Sequence, residues 1–151
     1  MKTTNNIQNI DESRVQALIE FLGLEDEAVF DVFETDWATY KVEGKEYKVL
    51  TDEEATICAK ANIIETCSHF TAEFLETMTG MPSVVFEHLV DENEAVFETI
   101  EKTCGIDEFV DEAIRWDGRG HFIAHYDGEE NEVTIEDEDD EDATMYTYRI
   151  S

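Results

Sequence analysis

The chain has 151 residues, of which 42% are apolar and 11% aromatic, so it can bury a core and does not have the composition of a disordered acidic chain. Its 39 Asp and Glu residues outnumber the 10 Lys and Arg residues, and the formal net charge of −29 argues against direct binding to nucleic acid. No apolar run reaches membrane-spanning length and no signal peptide is recognisable, so we expect a cytoplasmic protein that contacts no membrane.

The first predicted elements are a helix and a hairpin. Residues 1–10 are expected to form a flexible N-terminus and residues 11–151 a single acidic domain. A helix is predicted over about 13–22, because a serine that can cap it stands at its start and a glycine follows its end. WATYKV and EYKVL alternate apolar and polar residues on either side of Gly44, which predicts a β-hairpin.

The centre of the chain is predicted to be helical. Thr51 followed by Glu54 forms a capping-box pattern, and acids crowd the first turn after it. Apolar residues then recur every three or four positions up to residues 80–82, which predicts one long helix that supplies the spine of the core. Two shorter amphipathic helices are predicted at about 92–104 and 107–116, each ending just before a glycine.

The end of the chain is predicted to contain three strands, GHFIAHYDG, NEVTIE and TMYTYRIS. Together with the hairpin they make about five strands, and their short connections favour antiparallel pairing. The predicted fold is therefore α+β, with an antiparallel sheet of about five strands and three to four helices packed on one face.

Carboxylates are concentrated in two regions that we interpret as candidate binding surfaces. The segment EDEDDED, residues 136–142, is predicted to be an acidic loop or a strand extension. Residues 127–142 contain no Lys or Arg. The helix predicted at 107–116 carries acids one turn apart, where like charges repel, and a face that served solubility alone would usually mix Lys with Glu. The candidate partner-binding residues are Glu136, Asp137, Glu138, Asp139, Asp140, Glu141, Asp142, Asp127, Glu129, Glu130, Glu132, Asp107, Glu108, Asp111 and Glu112.

The charge is about as dense as that of DNA. A compact domain of this length has a radius of gyration of about 15 Å, and so a diameter of roughly 40 Å. Duplex DNA of that length carries roughly 23 phosphates, against a net charge of −29 here. Alternate residues on a strand lie about 6.6 Å apart and residues one helical turn apart rise about 6 Å, so both can form phosphate-like rows. Each acid would stand in for a phosphate and accept charge-assisted hydrogen bonds from Arg or Lys.

Three stretches carry a family resemblance. KVEGKEYKVLTDEEA and, more specifically, DGRGHFIAHYDGEENEV with the terminal YTYRIS resemble a family of uncharacterised proteins encoded by bacteriophages, over residues 40–150. The acidic insertion at 136–142 departs from that family. The resemblance implies a phage setting and no established activity, and by analogy small acidic phage proteins are often DNA mimics. We therefore expect a stoichiometric inhibitor that occludes the DNA-binding surface of a restriction, CRISPR or related defence nuclease in the host cytoplasm, and not an enzyme.

The sequence is also compatible with functions other than DNA mimicry. One is an acidic interaction protein that binds a basic host factor, such as a polymerase or a histone-like protein, without copying DNA geometry. Another is an enzyme or metal-binding protein that uses His121 and His125, which would share one face of a strand near Asp117, Arg119 and Asp127, although HFIAH lacks the glutamate of HExxH. A third alternative is a protein that binds divalent cations, although the sequence contains no EF-hand pattern. A fourth is a protein adapted to high salt.

The remaining reactive and aromatic side chains are predicted to be structural. The three cysteines lack CxxC spacing and are expected to be buried thiols in a reducing compartment. No cofactor and no metal are expected, and the oligomeric state is left open, because a homodimer would lengthen the mimic but add repulsion. Five aromatic residues are expected mainly to pack in the sheet, with anchoring of a partner as the alternative: Trp37, Tyr40, Tyr126, Tyr146 and Tyr148.

Overall fold

The computed structural model describes residues 6–25, 33–136 and 142–151. They form an α+β fold, as predicted, but with seven helices in these residues where three to four were expected. The elements are α1 (Asn6–Leu22), β1 (Phe33–Asp36), β2 (Thr39–Val42), β3 (Lys45–Leu50), α2 (Asp52–Glu65), a 3-10 turn (Cys67–His69), α3 (Ala72–Thr79), α4 (Ser83–Glu87), α5 (Asn93–Lys102), α6 (Ile106–Asp117), α7 (Arg119–Ile123), β4 (Asn131–Glu136) and β5 (Asp142–Arg149). The sequence pointed to a single domain; the structure groups its residues into two compact units. The first comprises the described residues up to Thr56 together with Arg119–Ser151, and the second is Ile57–Gly118.

The first unit contains an antiparallel sheet with strand order β1-β2-β3-β5-β4. The predicted hairpin is confirmed, since Tyr40 of β2 lies opposite Tyr47 of β3. Its turn contains Gly44 at a φ of 81°, a conformation that glycine adopts without steric strain. β5 then pairs with both β3 and β4, and on the β4 side Met145 lies opposite Val133.

Four of the predicted strands are present, and the prediction for GHFIAHYDG is wrong. Its first residues belong to helix α7, and residues 125–127 form turns. Phe122, Ile123 and Ala124 are buried in succession, a pattern that an alternating strand with one solvated face does not produce. Short apolar runs do not distinguish a helix from a strand by periodicity, which explains the error. The sheet gains its remaining strand from β1, which was not predicted.

Helix α1 packs on the sheet and covers the core of the first unit. Ala17 and Leu18 of the helix lie in one buried cluster with apolar side chains from β2, β3, β4 and β5. On β4, Val133 and Ile135 are buried while Glu132 is exposed, as expected for a strand with one solvated face. The helix begins at Asn6, earlier than the predicted start.

The predicted capping box at the start of α2 is confirmed. The backbone N–H of Glu54 donates to Thr51 Oγ1 over 3.2 Å, and the backbone N–H of Thr51 donates to Glu54 Oε1 over 2.9 Å. Two donors that the helix itself leaves unpaired are therefore satisfied.

The long helix predicted after Thr51 is instead broken into α2, the 3-10 turn and α3. Asn93 explains part of the break, because its side-chain amide donates to Ile64 O over 2.9 Å and its Oδ1 accepts from Ser68 N over 2.9 Å. The backbone groups freed at the end of α2 are thus paired by a residue distant in sequence. Thr71 then caps α3 by accepting from Phe74 N over 3.2 Å.

The second unit is helical and has its own buried side chains. Both shorter helices predicted in this region are confirmed as α5 and α6. α6 buries Phe109, Val110 and Ala113. The ring of Phe109 meets those of Phe70 and Phe74 edge-on, with centroids 5.1 and 5.4 Å away. The predicted apolar stripe of α6 therefore faces the interior of this unit, and its acidic stripe faces outward.

Candidate functional site

The acidic segment EDEDDED is anchored at both ends in the sheet. Pairing of β4 with β5 continues to the last register, in which Glu136 lies opposite Asp142. The first and last residues of the segment are thus strand residues. Asp137, Glu138, Asp139, Asp140 and Glu141, which complete the predicted acidic loop, lie outside the described residues.

The acids that precede this segment do not form one uniform surface. Asp127 lies in a turn, where its carboxylate accepts from Glu129 N over 3.0 Å, and both residues are exposed. Glu132 is exposed on β4 and lies opposite Tyr146, whose hydroxyl is 3.4 Å from its carboxylate. Glu130 differs from these acids, because its carboxylate accepts hydrogen bonds from Arg119 and Tyr148 of the same unit.

Arg119 is the centre of the contacts that engage Glu130. Its Nε donates to Glu130 Oε1 over 2.8 Å, and its Nη1 donates to Asp52 Oδ1 and to the Asp52 carbonyl, each over 2.9 Å. The guanidinium also lies 4.8 Å from the centroid of the Tyr146 ring. Burial has the largest single effect and lowers the pKa of Arg119, but the hydrogen bonds to Glu130 and Asp52 and the nearby negative charge together outweigh it and raise the pKa. Tyr148 donates its hydroxyl to the same Glu130 oxygen over 2.6 Å.

A second ion pair lies at the start of α2. Arg14 is 3% exposed and forms a two-pronged contact with Glu54, with nitrogen–oxygen distances of 2.6 and 2.8 Å. It also donates to Val49 O over 2.8 Å. The hydrogen bond from Arg14 holds the pKa of Glu54 below its usual range, despite the opposing effect of burial. Sequence reasoning missed this pair; its signal was an arginine within the apolar-periodic stretch of α1.

Two acids of the α6 stripe, Asp107 and Glu112, each lie within ion-pair distance of a cation. Lys60 Nζ lies 2.6 Å from Asp107, and this hydrogen bond raises the lysine pKa. Glu112 accepts from the indole N–H of Trp116 over 3.1 Å and lies 3.4 Å from Arg115 Nη1. Glu108 and Asp111 are exposed to solvent.

The predicted histidine pair is not formed on a strand face. His121 lies in α7, where its ring meets that of Phe122 edge-on at 4.9 Å, and His125 lies in the following turn. Both are exposed, as is Asp117. In the described parts of the chain, no group of three or more His, Cys, Asp or Glu residues is placed to hold a metal ion.

The three cysteines differ in how deeply they are buried. Cys67 is buried, and Cys58 and Cys104 are half-buried. Burial raises the pKa of Cys67 and of Cys104, which keeps these thiols protonated and weakly nucleophilic.

The five aromatic residues considered as anchors differ in exposure. Tyr40 and Tyr148 are buried and Tyr146 is half-buried. Trp37 and Tyr126 are exposed. Sequence reasoning did not include Trp116, which is 73% exposed.

Comparisons with known proteins add no assignment: no family model matches the chain, and no similar curated protein or solved structure was found. Within the described residues, no helix is both long and apolar enough to cross a bilayer. The case for a function therefore rests on this chain's own residues.

Proposed function

We propose that the protein is a phage-encoded DNA mimic that binds the basic DNA-binding surface of a host defence nuclease and blocks it stoichiometrically. The supporting observation is how the few cations are used. Arg14, Lys60, Arg115 and Arg119 each lie within ion-pair distance of an acid of the same chain. Their charge is therefore balanced locally, and even one-to-one pairing of all 10 Lys and Arg residues with the 39 acids would leave a surplus of 29 acids.

Two sets of exposed carboxylates are suited to this role. On α6, Glu108 and Asp111 are exposed to solvent, whereas the neighbouring Phe109 is buried. In the first unit, Glu129 precedes β4 and Glu132 lies on its solvated face. Carboxylates at these sites can accept charge-assisted hydrogen bonds from Lys and Arg side chains that normally contact phosphates. Association would be accelerated by electrostatic steering in the host cytoplasm and would weaken with salt.

The test is a charge-reversal variant in which these four acids become lysine: Glu108→Lys, Asp111→Lys, Glu129→Lys and Glu132→Lys. Glu130 and Glu54 are left intact because their contacts hold the first unit together. The immobilised protein is exposed to host-cell lysate, bound proteins are eluted with a salt gradient, and duplex DNA is added as a competitor. We expect a nucleic-acid enzyme that elutes late from the parent protein, is displaced by DNA, and is not retained by the variant, since like charges brought together at an interface repel.

A matched control reverses four exposed acids elsewhere: Glu65→Lys, Glu87→Lys, Asp91→Lys and Glu98→Lys. This control has the same net charge as the test variant and should retain the partner. Equal loss from both variants would show that net charge, and not these carboxylates, governs binding. Retention of the partner by the test variant would exclude these four acids from the interface, and failure of DNA to compete would exclude mimicry.

A further inference from the structure

Trp116 stands out as the most exposed of the large apolar side chains in the described part of the chain, at 73%. It lies in the last turn of α6, eight positions after Glu108 and four after Glu112. Residues four apart share one face of a helix, so Glu108, Glu112 and Trp116 form a single stripe that ends in the indole. The hydrogen bond from the indole N–H to Glu112 orients the ring beside the carboxylates.

Two other strongly exposed aromatic rings on this protein already carry a cation. The guanidinium of Arg149 lies 3.6 Å from the centroid of Tyr126, and Lys48 Nζ lies 5.5 Å from the centroid of Trp37. Tyr126 is 58% exposed and Trp37 is 53% exposed. Among the described residues, no cation is recorded over Trp116. Its ring is therefore open to a cation from outside the chain, and the nearby carboxylates would attract one.

We propose that Trp116, with Glu108 and Glu112, is the docking point for an arginine side chain of the basic partner. The inference rests on the proposed function and identifies which part of that surface provides a specific contact. Arginine fits better than lysine, because its planar guanidinium can stack on the indole while its N–H groups reach a carboxylate. Exposed tryptophans with such partners are typical of residues that dominate binding energy at interfaces.

Arg115 is the internal competitor of this docking point. It lies 3.4 Å from Glu112 and is itself 75% exposed, so it shares the carboxylate that the incoming arginine would use. Removing this charge in Arg115→Gln should strengthen binding of a cationic peptide. A surface that attracted cations only through net charge would respond about equally to loss of any exposed cation, so Lys41→Gln, on the solvated side of β2, is the matched control.

The experiment uses the intrinsic fluorescence of the indole. The chain has two tryptophans, so Trp37→Phe leaves Trp116 as the reporter, and the protein is titrated with an arginine-rich peptide or a lysine peptide of equal length. We expect a saturable change in Trp116 fluorescence, with tighter binding of the arginine peptide. In calorimetry, Trp116→Leu should bind the arginine peptide about five- to thirtyfold more weakly than the parent, and Trp116→Phe should recover part of the affinity.

The outcomes separate this inference from the proposed function. If the arginine peptide binds but Trp116→Leu binds it as tightly as the parent, or saturation leaves Trp116 fluorescence unchanged, the docking point is wrong and the proposal of a carboxylate interface survives. If the parent protein binds neither peptide, both proposals fail. Circular dichroism establishes that the variants are folded, which is expected because the substituted side chain is largely solvent-exposed.

Discussion

Arg14 and Arg119 show how individual cations obtain their partners in a chain with a large excess of acids. Arg14 binds Glu54 at a separation of 40 residues, and Arg119 binds Asp52 at a separation of 67 residues. Both arginines have side chains that are mostly buried, at 4% and 11% exposure. A buried guanidinium requires a paired carboxylate, so these contacts select particular acids from the many available.

Glu54 gives a prediction about pH. Because the hydrogen bond from Arg14 lowers the pKa of Glu54, the unfolded chain takes up a proton there more readily than the folded protein. The resulting stabilisation is complete above the ordinary glutamate pKa and is lost as the pH falls through the lowered value. Glu54→Gln should reduce the free energy of unfolding by about 2 kcal/mol at neutral pH. The difference from the parent should shrink in acid.

Urea denaturation at several pH values measures this difference. Glu53→Gln, at the exposed neighbouring position in the same helical turn, is the control and should change the free energy of unfolding by less than about 0.5 kcal/mol. A constant difference between Glu54→Gln and the parent from neutral to acid pH would contradict the assigned pKa.

At the scale of elements, local signals were predictive where the chain pairs its own backbone within a few residues. The hairpin around Gly44 and the capping box of Thr51 and Glu54 are both of this kind, and both are confirmed. The break between α2 and α3 could not be predicted from the helical periodicity, because Asn93 supplies its hydrogen bonds from another helix.

Helix α7 is a second element that depends on tertiary contact. A Cβ atom added at Gly120 would lie 2.6 Å from Gly128 O and 2.7 Å from Glu130 N, both backbone atoms that cannot move freely. The glycine therefore allows α7 to lie directly against the turn that leads into β4. The sequence DGRGHFI carries the glycine, but nothing local indicates what approaches it.

Gly120→Ala is expected to destabilise the protein by about 1–3 kcal/mol, because the methyl group must displace backbone. His121→Ala, at an exposed position of the same helix, is the control and should have little effect. Thermal unfolding followed by circular dichroism measures both variants. Equal melting temperatures for Gly120→Ala and the parent would contradict the close approach.

At the scale of the whole molecule, the net charge of −29 sets the response to salt. Repulsion between exposed acids destabilises the folded state, whereas the mostly buried arginine pairs are less screened than surface charges. Raising the salt concentration from about 0.01 M to about 0.1 M shortens the Debye length from about 30 Å to about 10 Å, so the free energy of unfolding should rise.

Urea, which is uncharged, is the appropriate denaturant for this measurement. The variant with Glu65, Glu87, Asp91 and Glu98 replaced by lysine carries less net charge and should show a shallower salt dependence. Stability that falls with salt in the parent would mean that ion pairs outweigh repulsion. Unfolding of the parent at about 0.01 M salt would favour the alternative of adaptation to high salt.

The sequence by itself determined the α+β class, the hairpin, the helix cap, α5, α6 and the excess of exposed acid, because these follow from local hydrogen bonding, periodicity and composition. Only the tertiary structure decided that the carboxylate of Glu130 accepts hydrogen bonds from Arg119 and Tyr148. It also decided that His121 lies on a helix and His125 in a turn, and that the side chain of Trp116 is exposed to solvent. These outcomes depend on which distant segments meet, since buried cations and close backbone contacts select partners that one-dimensional patterns do not encode.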